Sequence, residues 1–438
     1  MKKIIEPLIA RALISSSTRC AIASASLLFL LATEWVHADA VIEWNAIMQE
    51  TATTSPDPAE RARTAAITQI AVFDAVNSIV GGWEPYLEKV TAPVGASPDA
   101  AAIAAAHHVL VTLHPESRVQ LDAARARSLA AIPNQAGTHA GIAVGNAAAD
   151  AILTLRANDG FDEVVPYNPG SRPGDYRPTP PELIPAFRPG LGLVAPFGIE
   201  SAQRFRAESP PALQSMAYTR DFKEVKKIGE LISPQRTQRL TDIAHFYAAT
   251  DADGIYHPAA RQVSAAQGKM LSENARIFAL LSMAIWDGVV ACFESKYHYN
   301  IWRPVAAIRE ADTDRNRKTT SDANWQPLVF TPPFPTYPSG HAGFGAAARV
   351  VLEHFFGEDG HLITLTNPVV PDVRLHYASF KEITDDIDDA RIFGGVHFRF
   401  DQEAGARQGR RVGEYIIRAE LRPCRHRGTK DERHSSGS

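Results

Sequence analysis

The sequence predicts an all-α protein built as a multi-helix bundle, and three observations predict it. Apolar residues recur at steps of three and four along most of the chain. Alanine-rich stretches supply small side chains that let helices approach closely, and two-residue alternation of the strand kind is sparse. The 438 residues carry 45 Lys+Arg against 49 Asp+Glu, with 45% hydrophobic and 21% charged residues. That balance excludes a disordered or collagen-like chain and lacks the basic footprint of a nucleic-acid binder, so no nucleic-acid partner is expected. Three cysteines are too few for a disulfide scaffold.

Residues 1–40 read as an export signal. Lys2, Lys3, Arg11 and Arg19 precede the apolar run Ala21–Ala32, and Ala38-Asp39-Ala40 supplies small residues for cleavage. The run is too short to span a bilayer, and no later segment has the uninterrupted apolar length for one. The expected location is periplasmic or secreted, with no membrane span.

Residues 41–210 form an N-terminal helical region. Ala62, Ala66, Ile70, Phe73, Val76 and Val80 mark one helix, flanked by Pro56 and Pro58 before and Gly81-Gly82 after. Ala100–Leu113 and Ile142–Leu155 mark two more. Within them His107-His108 read as structural or surface groups, because adjacent side chains diverge on a helix. The segment 166–211 holds 11 of the 30 prolines, which forbids long helices. Phe187, Leu191, Leu193, Val194 and Phe197 favour an ordered loop over a solvated linker, placed to cover a pocket.

Residues 211–422 form a C-terminal helical catalytic region. Its strongest helix is expected from Ser272 to Trp302, with Ile277, Leu280, Leu281, Ala284, Trp286 and Val290 as the core stripe. Asp251-Ala252-Asp253-Gly254 opens like a calcium loop, but the later ligands and closing Glu are missing. Residues 423–438 read as a disordered tail.

Three clusters in the last third point to an oxyanion pocket. In the first, Lys296 and Arg303 are seven residues apart, which on one helix puts both cations on one face, with Pro304 closing that helix. Two cations so placed repel unless an anion lies between them. In the second, Phe334-Pro335-Thr336-Tyr337-Pro338 leads into Ser339-Gly340-His341 and a helical pattern. Ser339 and Gly340 thereby fall at a helix N-terminus, where free backbone N–H groups and the dipole favour an anion. His341 adds an acid or base. In the third, Arg391 offers a bidentate fork, Gly394-Gly395 breaks regular structure, and His397 and Asp401 stand one helical turn apart. The carboxylate then holds one ring nitrogen and leaves the other free.

Lys296 with Arg303-Pro304, Pro338-Ser339-Gly340-His341, and Arg391 with His397 and Asp401 resemble the three-part signature of the vanadium haloperoxidase/type 2 phosphatidic acid phosphatase superfamily. The resemblance spans 106 residues, and departs at Ala390, where the family usually has Ser. It implies a helical bundle of the vanadium chloroperoxidase/acid phosphatase type. It also implies that Lys296, Arg303 and Arg391 bind the equatorial oxygens of vanadate or phosphate, with Ser339 and the Gly340 N–H completing the cradle. His397 would bond to vanadium or attack phosphorus, Asp401 would hold His397, and His341 would be the apical acid/base.

Two chemistries share such a pocket. A vanadium-dependent haloperoxidase uses vanadate, hydrogen peroxide and halide to halogenate a small organic substrate. A metal-independent acid phosphatase hydrolyses a phosphomonoester through a phosphohistidine. The long helical first half and Trp44-Asn45 resemble the bacterial haloperoxidase branch. Phe334, five before Ser339, matches an aromatic position of chloroperoxidases, and Phe293 is placed to wall the same halide pocket. The haloperoxidase is the favoured reading and the phosphatase the alternative; halide preference and oligomeric state lie outside the sequence.

Overall fold

The computed structural model describes residues 39–424. The predicted export signal lies outside the described residues except for Asp39 and Ala40, and so does the predicted tail 423–438 except for Pro423 and Cys424, which are ordered instead: Pro423 bridges Trp83 and the Cys424 amide donates to the Gly82 carbonyl at 2.9 Å. Helices dominate, as expected. The first region holds α1 (Ala40–Ala52), α2 (Pro58–Val80), α3 (Pro98–Leu113), α4 (Arg118–Ala131) and α5 (Thr138–Arg156). The second holds α6 (Met216–Ile228), α7 (Gln238–Ala248), α8 (Ala252–Gln267), α9 (Leu271–Tyr299) and α10 (Pro304–Arg309). It continues through α11 (Gly340–Phe356), α12 (Phe380–Phe393) and α13 (Arg399–Ala419). The strands β1 (Ile363–Thr366) and β2 (Arg374–Tyr377) form one antiparallel hairpin.

Local chemistry starts many of these helices. Asp39, Asp57, Ser97, Thr237, Asp251 and Ser339 each accept a hydrogen bond from a first-turn amide, and Pro58 and Pro98 take first-turn positions. Asp251 therefore caps α8 and also pairs with Arg61 at 2.8 Å, in place of any calcium loop. His107 and His108 pair with Asp122 and Asp150 on neighbouring helices, the structural role expected of them.

The core gathers around α9, which packs against α2, α11 and α13. By length and composition α9 is apolar enough to cross a membrane, but 89% of its most apolar stretch is buried inside the bundle. Small residues set the tightest contacts. A Cβ at Gly409 would lie 1.8 Å from the Gly343 carbonyl oxygen, and one at Gly405 would lie 2.4 Å from that of Ser339. These glycines press α13 onto α11 and let the Ser339 amide donate to the Asp401 carbonyl at 2.9 Å. Gly141 and Gly145 do the same for α5 on α3, each 2.3 Å from a carbonyl oxygen if given a Cβ.

The proline-rich segment is an ordered strap. Leu191, Val194 and Phe197 are buried in the main core, while Leu193 is 70% exposed and takes no part in it. Asp287 on α9 holds the strap by accepting from the amides of Phe197, Gly198 and Ile199 at 2.7, 2.7 and 2.8 Å. Further back, the Phe187 amide donates to the Pro333 carbonyl and the Tyr297 hydroxyl donates to the Phe187 carbonyl.

One local expectation is corrected. The helix begun near Ser272 does not reach Trp302, because Asn300 adopts a left-handed conformation (φ 55°) and ends α9 at Tyr299. Arg303 is the N-cap of α10, and Pro304 opens that helix instead of closing the previous one. Lys296 and Arg303 thus lie on two elements, brought together by a turn and not by helical periodicity.

Candidate functional site

The three predicted clusters meet at one place. Lys296 comes from the last turn of α9, Arg303 from the start of α10, Ser339, Gly340 and His341 from the start of α11, and Arg391 from the last turn of α12. His397 stands two residues before α13, and Asp401 lies in its first turn. Lys296, Arg303, Ser339 and Asp401 are fully buried, and Arg391 and His397 nearly so.

Main-chain carbonyls hold the cations in place. The Lys296 ammonium donates to Pro335 and Thr336 at 2.9 Å each, leaving its third N–H free of protein partners. Arg303 donates from Nε to Phe334 at 2.7 Å and from Nη1 to Val396 at 2.8 Å. Arg391 has one long bond, from Nη1 to Tyr247 at 3.3 Å. Arg303 Nη2 and Arg391 Nε are buried and have no partner in the protein. Buried donors of this kind are costly unless satisfied, so the pocket is built to receive an acceptor.

His397 is tightly oriented. Its Nδ1 lies 2.9 Å from Asp401 Oδ2, and the same oxygen accepts from the Thr336 hydroxyl at 2.6 Å and the Phe398 amide at 3.0 Å. A carboxylate partner makes Nδ1 the protonated nitrogen and leaves Nε2 as the acceptor, whose lone pair faces the Arg303 guanidinium. Arg303 Nη1 approaches that Nε2 at 3.2 Å. The i,i+4 pairing inferred from spacing is present, although His397 itself precedes the helix.

Burial and like charge set the protonation states. Burial, then Arg303, Lys296 and Arg391, hold His397 well below its ordinary range. Burial and then Arg391 do the same to His341, with the Thr250 backbone opposing. Lys296 is also pushed down by burial, and Arg303 and Arg391 add to the effect. Burial pushes the Asp401 carboxyl up, against the Thr336 and Phe398 hydrogen bonds. An anion among these cations reverses the repulsion that disfavours their charged forms.

A cavity of about 450 Å³ adjoins this cluster. Gly340, His341, Arg391 and His397 line it, as do Phe293 and Phe334, the two residues expected to wall a halide pocket. The rings of Phe293 and Phe334 lie 5.2 Å apart, and Lys296 Nζ and Arg303 Cζ lie 5.0 and 4.7 Å from the Phe334 centroid. His341 packs on Phe344 at 5.0 Å. Ala390 is buried on α12 beside Arg391 and brings no hydroxyl.

Sequence reasoning missed several contributors. Thr336 links all three clusters, since its hydroxyl meets Asp401 and His397 and its carbonyl meets Lys296. Its position three residues before Ser339 was the only sign. Arg61, Asp251 and Asp253 also line the cavity from helices far away in sequence. Asn45 of the Trp44-Asn45 pair serves the scaffold, with its amide 2.8 Å from His257 Nδ1.

The donor set fits a tetrahedral oxyanion such as vanadate. Two partnerless guanidinium N–H groups, a free ammonium N–H and the first amides of α11 supply donors, and His397 Nε2 supplies one lone pair.

Comparison with known proteins defines the class first. The fold is that of the bacterial vanadium-dependent haloperoxidases. A bacterial vanadium-dependent iodoperoxidase superposes with a TM-score of 0.73 over 88% of this chain and 97% of its own, at 23% identity. The holo form of a bacterial vanadium-dependent chloroperoxidase gives 0.67 over 84% and 96%, at 19% identity. Residues 276–425 match the family described as the VCPO second helical-bundle domain. Vanadium chloroperoxidase of Curvularia inaequalis is 27% identical over 179 residues, a match spanning 30% of this chain and 29% of that protein. The resemblance drawn from the three motifs agrees with these comparisons, in which residues 276–425 are similar to the second helical-bundle domain of vanadium chloroperoxidase.

Proposed function

We propose that this chain is a vanadium-dependent haloperoxidase that oxidises halide with hydrogen peroxide at a vanadate held by His397. The observation that carries this reading is the meeting of Arg303 Nη2, Arg391 Nε and the His397 Nε2 lone pair, all buried beside the α11 N-terminus. Likeness to haloperoxidases across most of the chain favours this chemistry over phosphomonoester hydrolysis.

Bound vanadate supplies the oxidation of halide by hydrogen peroxide to hypohalous acid. Lys296, Arg303 and Arg391 neutralise the oxyanion, and Ser339 and the Gly340 N–H complete its cradle. Asp401 fixes the His397 tautomer so that Nε2 faces the ligand. His341, half-buried on the cavity wall and held below its ordinary range by desolvation and then by Arg391, accepts and returns a proton at the cavity side. Phe293 and Phe334 keep water from the halide.

We further propose that the protein is exported, on its basic and apolar start. Asp39 caps α1 and accepts from Asn274, so cleavage just before it, after Ala38, keeps that cap where cleavage after Ala40 removes it.

The test is to load the purified protein with orthovanadate and assay halide oxidation by peroxide, beside phosphomonoester hydrolysis without vanadate. Vanadate-dependent hypohalous acid, lost in His397→Ala, is expected. Strong phosphatase turnover with no halide oxidised would reverse the assignment.

A further inference from the structure

Thr336 has every one of its polar groups committed. It is fully buried. Its amide donates to the Ile301 carbonyl at 2.9 Å, its carbonyl accepts from Lys296 at 2.9 Å, and its hydroxyl donates to Asp401 Oδ2 at 2.6 Å. Ile301 follows Asn300 in the turn between Lys296 and Arg303. The backbone of Thr336 is therefore pinned from both sides, and its branched side chain, stiff at χ1, has little freedom left to turn away.

A hydroxyl has one proton to give. The 2.6 Å contact is in the range of a hydroxyl donating to a carboxylate, so that proton lies toward Asp401. The oxygen then turns only lone pairs toward His397 Nδ1, 3.1 Å away. Nδ1–H is thus accepted by Thr336 Oγ1 as well as by Asp401 Oδ2 at 2.9 Å. The other neutral tautomer meets opposition at both ends of the ring. Its bare Nδ1 would face the lone pairs of two oxygens, and its Nε2–H would face the Arg303 guanidinium at 3.2 Å, donor against donor. Asp401 alone does not secure this arrangement, since a carboxylate has two equivalent oxygens and Oδ1 is buried with no partner in the protein. The Thr336 bond is the shortest of the three on Oδ2 and fixes which oxygen meets the ring.

We infer that Thr336 is a positioning residue that sets the His397 tautomer: its hydroxyl anchors Asp401 Oδ2 and shares the Nδ1 proton, so that Nε2 stays an acceptor for the oxyanion. Thr336 acts through Asp401 and His397. The inference rests on the reading of His397 as the residue that holds the oxyanion, and not on what the bound oxyanion then does. Valine in place of Thr336 keeps its branched shape and its backbone bonds and loses the hydroxyl, whereas serine keeps the hydroxyl.

The experiment compares the full chain with Thr336→Val and Thr336→Ser. Long-range proton–nitrogen NMR of protein carrying isotope-labelled histidine, in the absence of vanadate, reads the His397 tautomer. Its signals are identified by their loss in His397→Gln. Equilibrium dialysis against orthovanadate reads affinity. Wild type and Thr336→Ser are expected to carry the proton on Nδ1. Thr336→Val is expected to populate the Nε2-protonated form and to bind vanadate about tenfold more weakly, the low end for an outer partner of a metal-bound histidine. A wild-type tautomer in Thr336→Val would overturn the inference even where affinity falls, because packing alone then accounts for the loss. Failure of serine to restore both tautomer and affinity would overturn it as well. If His397→Gln instead binds vanadate as tightly as wild type, the reading of His397 as the holding residue falls, while the NMR comparison still judges Thr336.

Discussion

His397 Nδ1 and Asp401 Oδ2 face each other at 2.9 Å across the start of α13, and the same oxygen also accepts from Thr336 and Phe398. One carboxylate oxygen therefore orients the imidazole, closes the first turn of a helix and ties in the segment before α11. Orientation of the ring is a property of the fold, not of the histidine alone.

Asp401→Ala removes that anchor. Outer partners of a metal-bound histidine are typically worth about 10–100-fold in affinity or activity. Halide oxidation should fall by about that factor, and vanadate affinity should fall with it. Steady-state assays beside equilibrium dialysis check this; unchanged values would show that Asp401 acts only as a helix cap.

Arg391 is the least engaged of the buried cations, with Nε unpaired and one bond of 3.3 Å. Arg391→Ala should weaken vanadate binding by about 2 kcal/mol, on the scale of a charge-assisted hydrogen bond. Arg391→Lys should recover only part of this, because a lysine cannot present the planar fork. Titration by isothermal calorimetry distinguishes the three proteins.

Oxyanion binding should take up protons. Burial holds Lys296 and both histidines below their ordinary ranges and Asp401 above its own. A bound anion favours the protonated form of every one of these groups, so all four contribute with the same sign. Affinity should therefore decline as pH rises above neutrality, toward the ordinary lysine range. Sulfate, whose own charge is constant there, is the suitable probe, with calorimetry in buffers of different ionisation enthalpy. Proton release on binding would contradict the cation cluster as described.

Gly409→Ala should separate α13 from α11. The new Cβ would start 1.8 Å from the Gly343 carbonyl oxygen, which is backbone and cannot swing aside. Overpacking of this kind costs about 1–3 kcal/mol or more, read as a lower denaturant midpoint. Because the same contact brings Ser339 to Asp401, vanadate affinity should fall too. Ala at exposed Gly268, which nothing crowds but whose φ is +62°, should lower stability by backbone strain and leave affinity unchanged.

Much of this was legible in the residues, for identifiable reasons. Helical periodicity marked α5 because it buries one face against its neighbours, whereas α2 and α3, buried nearly all round, were legible as long runs of small and apolar residues between proline and glycine or histidine ends. The clusters around Lys296, Ser339 and Arg391 were legible because charge and small residues in short spacings have few other uses together. The route between Lys296 and Arg303 was misread because seven residues fit two helical turns equally well as a helix, a turn at Asn300 and a new N-cap. Thr336 escaped notice because a threonine in a proline-rich loop has many ordinary uses. The ion pair of Arg61 with Asp251 joins residues 190 positions apart, which no local pattern encodes.

The carbonyls of Phe334, Pro335, Thr336 and Val396 carry a last consequence. Lys296 and Arg303 are steadied by peptide oxygens, which every amino acid supplies in equal measure. The ring of Phe334 lines the cavity while its carbonyl steadies Arg303, so exchange of that side chain keeps the carbonyl bond and gives up only the ring's contact with the two cations. Such a layout divides the labour within one residue: the side chain shapes the chamber, while the peptide oxygen behind it holds the cation.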